Sequence, residues 1–488
     1  MTKETIRVMK FGGTSVGDAA CIRRAAEIIA AASTDAAVVA VVSAMGGVTN
    51  RLIEAAQSSA TGNRTPAVEI AEALGKQHRA AIEDLVSNDD SRAKLVAEVE
   101  KIIEHVTGLC YGTALLRELT PRVLDEIVST GERLSARLLA SALCELGLKG
   151  VAVEATELIV TDSASGRAEP LMAQTRERAT ACLLPLLEDD SVPVVTGFIG
   201  ATAGGMLTTL GRGGSDYSAT ILGAALDAAE VIIWTDVDGV LTADPRLVPD
   251  ARTLREISYN EAAELAYFGA KVLHPKTLRP VSEAGIPVWI RNSFAPEQPG
   301  TKITATGHPT ARGVKAITAI SGVSLITVGG RGMVGLPGVA GKTFTAVADA
   351  RANILLISQS SSENDICFII NSEDEVRTVE KLRESFAFAL AHHEVEHITV
   401  NPEIAIVAVV GERMRGMVGI AGRTFSAMGR RGINIIAIAQ GSSEYNVSFV
   451  VEASIVRDAV QTLHNEFGLQ RPASRFESVP SETAVANV

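Results

Sequence analysis

The chain has 488 residues, a length that predicts about three domains. Its 47% hydrophobic and 21% charged residues are ordinary globular values, which excludes wholesale disorder. The net charge of −12 argues against a nucleic-acid-binding protein, because such proteins usually present a basic patch. It does not exclude a nucleotide site, since holding a phosphate needs only a few local cations.

The cysteines and the first residues of the chain indicate a cytoplasmic protein. The five cysteines are scattered and form no C-x-x-C pair, so we expect neither a disulfide framework nor a zinc ribbon. No apolar signal-peptide core follows Met1, and no stretch of about 18 uncharged apolar residues occurs. We therefore expect no membrane partner and no nucleic-acid partner.

Up to about residue 305, short β-rich runs alternate with helical patterns. Repeated strand, Gly-rich loop and helix predict an α/β fold with a largely parallel open sheet between helices. Such sheets bind ligands at the carboxyl ends of their strands, so we expect the site in those loops. The predicted strands are Arg7–Lys10, Ala37–Val42, Val192–Thr196, Val231–Thr235 and Pro287–Ile290, and residues 66–150 are predicted to be mostly helical.

The first predicted strand leads into a Gly-rich loop, Lys10-Phe-Gly-Gly-Thr-Ser15, which joins a cation to exposed backbone amides. Such a loop can hold phosphate oxygens, and an ordinary turn with a solvated lysine gives the same pattern. A second Gly-rich exit, Ser43–Thr49, offers two hydroxyls, and the start of a capped helix explains it equally well.

The segment Thr209–Asp216 places three glycines around Arg212. Glycines let the backbone approach a ligand closely, and an arginine can clamp a carboxylate or a phosphate through two hydrogen bonds. Asp216 stands where the following helix is predicted to begin. It is therefore a helix cap, an active-site acid, or both.

Further charged residues follow the fourth predicted strand. Thr235 and Asp236 precede Asp244 and Arg246, where carboxylates could lie near magnesium or a nucleotide. The run that starts at Asp236 also resembles the nucleophile motif of haloacid-dehalogenase-type phosphatases, although that motif usually opens its domain. Lys271 lies further along, and a surface position is the simple alternative to a role for it.

The last part of the chain contains an internal repeat, behind a Pro- and Gly-rich linker at Ser293–Thr310. Residues 340–368 and 421–449 are identical at 13 of 29 positions, with an offset of 81. Each copy is predicted to form strand, turn, helix, strand, turn and strand. Two copies are too few for a solenoid, so we expect a pair of small α/β modules and then a fraying tail.

Taken in order, these segments resemble the aspartate kinases of the amino-acid kinase superfamily. The repeats look like the paired ACT modules that follow the catalytic domain in that family. The resemblance implies an αβα-sandwich kinase domain at 1–305, ferredoxin-like ACT domains at 306–395 and 396–470, and a flexible tail at 471–488. The motifs that carry it are Lys10–Val16, Ser43–Thr49, Thr130–Arg133, Gly197-Phe198, Gly211–Asp216, Thr235–Gly239 and Gly269–Pro275.

The resemblance implies ATP-dependent phosphorylation of the L-aspartate β-carboxylate, the first step toward lysine, threonine and methionine. A carboxylate nucleophile needs no general base near neutral pH, which agrees with motifs rich in cations, glycines and hydroxyls. By the family pattern, Lys10 stabilises the transferred phosphoryl group, Asp216 orients that lysine, and Arg212 holds the α-carboxylate of aspartate. The other residues implied to bind aspartate are Glu132, at the α-ammonium group, and Ser43, Thr49, Phe198, Gly213 and Ser215.

The nucleotide side of the site is implied in the same way. ATP is the implied co-substrate, and Mg²⁺ is expected to be held mainly by its phosphates and by water, without metal ligands from the chain. One departure is Leu241, where several relatives place a tyrosine near the adenosine. The residues implied to bind ATP are Lys10, Gly12, Gly13, Thr14, Ser15, Thr235, Asp236, Asp244, Arg246 and Lys271.

The paired ACT modules imply feedback control by a pathway amino acid. Their Asn-Ile-x-x-Ile-x-Gln arrangement resembles the threonine-responsive aspartate kinases, so threonine is favoured and lysine is possible. The run Gln359–Glu363 also resembles the kinase half of bifunctional aspartate kinase–homoserine dehydrogenases. Turns that only hold the repeats together are the alternative. The residues implied to bind the effector are Asn353, Ile357, Gln359, Asn434, Ile438 and Gln440.

Open sheet edges in ACT modules predict a homodimer or a dimer of dimers. Two alternatives to an aspartate kinase keep the same fold. The acceptor could be glutamate or a carbamate, which the ACT pair argues against. The chain could also be a non-catalytic amino-acid sensor, and the intact set of Lys10, Glu132, Arg212 and Asp216 argues against that.

Overall fold

The computed structural model describes residues 5–269, 273–307, 313–333, 337–359, 364–414, 416–440 and 445–471. Contacts within the chain divide it into two compact units. The first comprises Met1–Val240, Thr253–Ala263 and Val272–Gly307, and the second Leu241–Arg252, Glu264–Lys271 and His308–Val488. Two short segments from the predicted catalytic region therefore group with the C-terminal repeats.

The first unit alternates strands and helices. Its strands are β1 (Ile6–Phe11), β2 (Ala37–Val42), β3 (Lys149–Val153), β4 (Val160–Thr161), β5 (Ser191–Thr196), β6 (Ile199–Thr202), β7 (Leu207–Thr209), β8 (Glu230–Thr235), β9 (Glu256–Ser258), β10 (Val288–Asn292) and β11 (Thr301–Thr304). Its helices are α1 (Ala19–Ala32), α2 (Val48–Ser59), α3 (Thr65–Leu85), α4 (Asp89–Leu116), α5 (Pro121–Val128), α6 (Thr130–Glu145), α7 (Met172–Glu188), α8 (Gly214–Ala225) and α10 (Pro275–Ala284). Helix α9 (Tyr259–Tyr267) has residues in both units.

Eight strands form the main sheet, in the order β3-β5-β2-β1-β8-β10-β11-β9. Neighbouring strands are parallel except β10 and β11, which are antiparallel. Every residue of β2 and β5 is buried, as expected where helices cover both faces of a parallel sheet. The α/β fold and the five predicted strands are confirmed, with ends that differ by no more than two residues.

Helices α3 to α6 confirm the mostly helical prediction for residues 66–150. Side chains cap the starts of several helices. Asp18 caps α1, Asn88 caps α4 and Thr120 caps α5, each accepting from the amide three residues on, and His274 caps α10 by accepting from the amide of Lys276. The apolar faces of α1 to α4 and α6 pack in one core with β1 and β2. A small separate sheet, β4-β6-β7, was not predicted, because strands of two to four residues are too short to show a periodicity.

The second unit contains the two copies of the repeat. Its strands are β12 (Ala316–Gly329), β13 (Leu356–Gln359), β14 (Asp365–Asn371), β15 (His397–Val410), β16 (Ala437–Ala439) and β17 (Asn446–Glu452). Its helices are α11 (Val339–Asp349), α12 (Glu375–Ser385), α13 (Ala387–Ala391), α14 (Ile420–Arg430) and α15 (Val456–Glu466). The strands form one antiparallel sheet in the order β13-β14-β12-β15-β17-β16.

The two copies share their longest strands. Residues 323–329 of β12 pair with β14 and with the first half of β15. Residues 316–320 of β12 pair with the second half of β15, which in turn pairs with β17. An irregularity between Ile320 and Val323 separates the two halves. Each long strand therefore contributes to both copies.

The repeat in the sequence is also a repeat of packing. Helices α11 and α14 begin 81 residues apart, as do α12 and α15. Phe344 packs edge-on against Phe368 at 6.4 Å between ring centroids, and Phe425 against Phe449 at 5.9 Å. The predicted pair of α/β modules is confirmed.

Among the described helices, none has both the length and the apolar character needed to cross a membrane. All five cysteines are free thiols. Beyond Arg471, the tail predicted from the sequence lies outside the described residues.

Candidate active site

A cavity of about 790 Å³ opens beside the carboxyl ends of β1, β2 and β5 and the first turn of α8. It is lined by residues from loops far apart in the sequence, because parallel strands deliver their carboxyl ends to one edge of a sheet. Lys10, Gly13 and Asp216 line it. So do all the residues predicted to bind aspartate: Ser43, Thr49, Glu132, Phe198, Arg212, Gly213 and Ser215.

A largely buried ion pair lines this cavity. Lys10 Nζ, near the end of β1, lies 2.6 Å from Asp216 Oδ1 in the first turn of α8, and the two side chains are 10% and 14% exposed. Helix amide groups favour a carboxylate in this turn, and the carboxylate holds the lysine side chain in a fixed direction. The residue that caps α8 is Gly213, so the alternative that Asp216 is the cap is wrong.

Glu132, in the first turn of α6, is a fully buried carboxyl group. Burial raises its pKa to about 8, against the opposing effects of the Ala44 amide hydrogen bond and the charge of Lys10. Its Oε2 atom has no hydrogen-bond partner within the part of the chain that the structure describes. A buried carboxyl oxygen without a partner is costly, and a cationic ligand would satisfy it.

The loop before α8 passes very close to its neighbours. Gly213 has φ +70°, and a Cβ atom on Gly214 would lie 2.5 Å from the ring of Phe198. Phe198 itself has φ +71°, a left-handed conformation that is rare for a bulky residue. Ser218 Oγ accepts from its amide at 2.9 Å, which helps to hold this conformation. The exposed side chain of Arg212 extends from this loop at the cavity.

The sequence reasoning missed Asp125 of α5, a buried residue that also lines the cavity. Its Oδ1 accepts from the Thr209 hydroxyl at 2.7 Å, and its Oδ2 accepts from the amides of Gly166 at 3.0 Å and Thr209 at 3.3 Å. This carboxylate ties α5 to the start of the loop that carries Arg212. A lone aspartate in an amphipathic helix gave no signal of that partner.

Several residues predicted to bind ATP lie around the ends of β1 and β8. The Gly12 amide donates to Trp234 O at 3.1 Å, and Thr235, the last residue of β8, donates to Asp236 Oδ1 at 3.2 Å. Ser15 is buried, with its Oγ 2.8 Å from Ser293 Oγ, so its hydroxyl is used to join strand ends. Gly12, Thr14, Ser15, Thr235 and Asp236 do not line the 790 Å³ cavity, whereas Gly13 does.

The remaining nucleotide predictions fall in the second unit. Arg246 Nη2 lies 2.6 Å from Asp244 Oδ2, and the arginine side chain is 77% exposed. Lys271 lies outside the described residues.

Comparison with known proteins identifies the family. The model of the amino acid kinase family matches residues 5–292, which is more than half of the chain. The chain belongs to the amino acid kinase family. An ACT domain model matches residues 326–386 and 407–467, the two copies of the repeat in this family member.

Relatives place this amino acid kinase among the aspartokinases. Bifunctional aspartokinase/homoserine dehydrogenase 2 of Arabidopsis thaliana is 36% identical over 95% of the chain, and the chain spans about half (51%) of that relative. The crystal structure of E. coli aspartokinase III with aspartate and ADP has a TM-score of 0.78 at 32% identity, covering 94% of this chain and 99% of that one. The complex of the same protein with lysine and aspartate has a TM-score of 0.78 at 33% identity, with coverages of 95% and 99%.

These matches confirm the resemblance to aspartate kinases that was drawn from the sequence. They also set aside the phosphatase alternative for the run at Asp236, which follows β8 in the middle of an amino acid kinase sheet. Within the described part of this family member, no group of three or more His, Cys, Asp or Glu side chains could hold a metal ion.

The residues predicted to bind an effector lie at or beside the two edge strands of the ACT sheet. Strands β13 and β16 end the sheet order on opposite sides and do not pair, although some of their residues approach each other. Their Ile357 and Ile438 are 49% and 47% exposed. A cavity of about 350 Å³ beside the first turn of α14 is lined by Gln440 but not by Asn434 or Ile438. Asn353, Gln359 and Asn434 are exposed.

Proposed function

We propose that this chain transfers the γ-phosphoryl group of ATP to the β-carboxylate of L-aspartate, forming 4-phospho-L-aspartate and ADP. The observation that carries the proposal is one cavity that holds both the Lys10–Asp216 pair and the unpartnered oxygen of Glu132. A fixed cation suits a transferring phosphoryl group, and a buried carboxylate suits an ammonium group. The E. coli aspartokinase III structure described with aspartate and ADP supports the same substrates.

Each substrate group has a proposed partner in the cavity. The α-ammonium group of aspartate takes the free oxygen of Glu132, and Arg212 takes its α-carboxylate through two hydrogen bonds. The hydroxyls of Ser43, Thr49 and Ser215 complete the pocket for the remaining oxygens. Because an ammonium group and a carboxylate are both held, the side-chain carboxylate is the group left to react.

The chemistry needs charge neutralisation rather than proton transfer. One oxygen of the β-carboxylate forms a bond to the γ-phosphorus while the bond from that phosphorus to the bridging oxygen breaks, and the electron pair leaves with ADP. The β-carboxylate is already ionised at neutral pH, so no general base is required. Lys10 stabilises the charge that spreads over the equatorial oxygens, and Asp216 keeps the lysine in place.

ATP is proposed to meet Lys10, the loop from Gly12 to Ser15 and the residues that follow β8. Magnesium would arrive as part of the substrate, bound to the β- and γ-phosphates, and would neutralise phosphate charge there. The hydroxyl of Ser15 is a poorer candidate than its backbone, because it is buried against Ser293.

The direct test traps the acyl phosphate as a hydroxamate. The purified chain with ATP, magnesium, aspartate and hydroxylamine should form aspartyl hydroxamate, and glutamate in place of aspartate should form none. Absence of aspartyl hydroxamate would refute the proposal, and a product from glutamate or a carbamate would move the chain to another acceptor.

We also propose that the ACT pair binds a feedback amino acid, threonine in the first place. Gln440 lines a cavity beside the first turn of α14, where helix amides favour a carboxylate. The E. coli structure with lysine keeps lysine as the alternative. Activity should be titrated with threonine, with lysine and with both; a response to lysine alone would contradict the role given to Gln359 and Gln440.

A homodimer, or a dimer of dimers, through the ACT modules is part of the same proposal. The half-exposed Ile357 and Ile438 lie on edge strands, where pairing between chains would cover them. Sedimentation of the wild type and of an Ile357→Asp/Ile438→Asp variant tests it. The variant should dissociate, and an unchanged oligomer would contradict this interface.

A further inference from the structure

A second cavity, of about 690 Å³, lies within the first unit. Its walls come from α1, from the strands β1, β8 and β10, and from the loop after β10. It shares no lining residue with the cavity of the candidate active site, and the proposed function assigns no substrate to it. Its volume falls in the range of sites that bind small organic molecules.

Most of the wall of this cavity is apolar. The chain has two tryptophans, Trp234 and Trp289, and both line the cavity. Ile28 of α1 and the rings of Pro296 and Pro299 add further apolar surface. Tryptophan rings bind other aromatic rings in offset-stacked or edge-on contacts, so these walls suit a ligand with an aromatic body.

Two hydrogen-bond donors in the wall lack an acceptor. Trp234 Nε1 and Arg291 Nε are both buried, and neither has a hydrogen-bond partner among the described residues. The guanidinium of Arg291 lies over the ring of Trp234, 4.8 Å from its centroid, so both donors belong to one contact. A buried N–H without an acceptor costs free energy. A ligand that brings an oxygen to this stacked pair would remove that cost.

The three arginines that line the cavity differ in their partners. Arg7 lies 2.6 Å from Glu230 and 3.4 Å from Asp35, so its charge is compensated within the chain. Arg24 of α1 and Arg291 form no ion pair with any carboxylate in the part of the chain that the structure describes. Two cations of this cavity are therefore uncompensated.

Both uncompensated arginines contact the loop after β10. The guanidinium of Arg24 lies 4.9 Å from the ring centroid of Phe294, and Arg291 Nη2 donates to Pro296 O at 2.8 Å. Burial lowers the pKa of Arg291, because its charge is partly removed from water. A bound anion would stabilise both charges, and a carboxylate fits the fork of an arginine through two hydrogen bonds. The cavity thus joins an apolar body to a cationic side.

We propose that this cavity binds an aromatic carboxylate, with its ring against the two tryptophans and its carboxylate held by Arg24 and Arg291. The charge favours a carboxylate over a phosphate. Apart from the compensated group around Arg7, the lining holds these two arginines and one acid, Glu27 of α1, which leaves one positive charge for a monoanion.

The tryptophans make this cavity its own reporter. The full chain labelled with fluorotryptophan should give one fluorine NMR resonance for each of Trp234 and Trp289, and Trp289→Phe assigns them. Naphthoate should shift both resonances saturably, with a Kd below about 1 mM. The shifts should persist with aspartate and magnesium–ADP present. Naphthamide, the same ring system without the charge, should bind at least about tenfold more weakly.

Charge variants on α1 should change the Kd for naphthoate in opposite directions. Arg24→Gln removes one of the two cations and should raise the Kd by about tenfold. Glu27→Gln removes the acid that lines the cavity beside them and should lower the Kd by about two- to fivefold. Arg23→Gln is the matched control, because Arg23 is an exposed residue of the same helix that does not line the cavity.

The outcomes separate this site from the proposed active site. Absence of a saturable shift would overturn the proposal, as would equal affinities for naphthoate and naphthamide. Loss of the shifts on adding magnesium–ADP would place the probe in the nucleotide site and would also overturn it. Decahydronaphthoate should bind several-fold more weakly, and equal binding would refute the aromatic class. The readout needs no turnover, so it holds whether or not the chain forms aspartyl hydroxamate.

Discussion

The aspartate pocket and the loop Leu241–Arg252 are held in opposite ways. In the pocket the functional side chains are themselves buried, with Lys10 paired to Asp216 and Glu132 fully enclosed. In the loop Arg457 donates a hydrogen bond to the main-chain carbonyl of Arg246, and the side chain of Arg246 stays exposed. A buried ion pair cannot separate without a large cost, so Lys10 and Asp216 are in place before aspartate binds. In the loop only the main chain of Arg246 is fixed, so its guanidinium can leave Asp244 and bind another anion.

Lys10→Ala should have the largest effect, because it removes the fixed cation from the phosphoryl group. We expect kcat to fall by about a thousandfold or more, with a smaller change in KM for aspartate. Steady-state kinetics measure this, and Lys76→Ala, an exposed position on α3, is the control. A loss below tenfold would mean that the pocket is less preorganised than the ion pair indicates.

Glu132→Gln should come next, since it removes the proposed partner of the α-ammonium group. KM for aspartate should rise by roughly ten- to a hundredfold, as expected for a lost charged hydrogen bond. KM for ATP should change little. An equal rise in both constants would show that Glu132 supports the fold of the site instead of binding aspartate.

The same residue predicts a pH dependence with a definite sign. Burial raises the pKa of Glu132 from 4.5 to about 8 in the folded protein without aspartate. The free energy of unfolding should therefore fall as pH rises from about 4.5 to about 8, because the folded state binds the extra proton in that range. Aspartate needs the carboxylate form, so its KM should fall as pH rises from about 6.5 and level off above about 8. Calorimetry in buffers of different ionisation enthalpy should show proton release on binding at pH 7, and Glu132→Gln should abolish both effects.

Asp125→Asn should have a moderate effect on the pocket. The amide can replace only part of a carboxylate that accepts three hydrogen bonds from Thr209 and Gly166. We expect a Tm several degrees lower and a several-fold rise in KM for aspartate, because the loop to Arg212 loosens. Asp89→Asn, at a surface residue that is 91% exposed, is the control.

Arg246→Ala should have the smallest effect. KM for ATP should rise by about three- to tenfold, with no change in Tm, because the Arg246 side chain is 77% exposed and an exposed ion pair contributes little stability. Arg279→Ala removes another exposed arginine with an acidic partner and should change neither quantity. A clear drop in Tm for Arg246→Ala would show that this side chain stabilises the fold, as the buried side chains of the pocket do.

The parts that the sequence predicted well are those set by local chemistry. Strands β1, β2, β5 and β8 end where glycines and polar residues follow apolar runs, so the loops at their carboxyl ends could be placed on one edge. Lys10 and Ser43 meet in one cavity because the parallel strands β1 and β2 end at the same edge of the sheet. Glu132 reaches that cavity from α6, and Arg212 from the loop after β7.

The rest depended on contacts that no local pattern encodes. The partners of Asp125 lie on other loops, and Arg457 reaches a carbonyl 211 residues away. Ser15 lies in a Gly-rich loop of the kind that binds phosphate, yet its hydroxyl is hydrogen-bonded to that of Ser293. The grouping of residues 241–252 with the C-terminal repeats follows from tertiary packing alone.

The shared strands of the ACT sheet mean that the two copies cannot be separated. Residues 316–320 of β12 serve the second copy while residues 323–329 serve the first, and β15 does the reverse. A truncation between the copies would leave half a strand without neighbours on each side. The two copies should therefore fold together and can be transferred to another protein only as a pair. A destabilising substitution in the core of either copy should lower the stability of both.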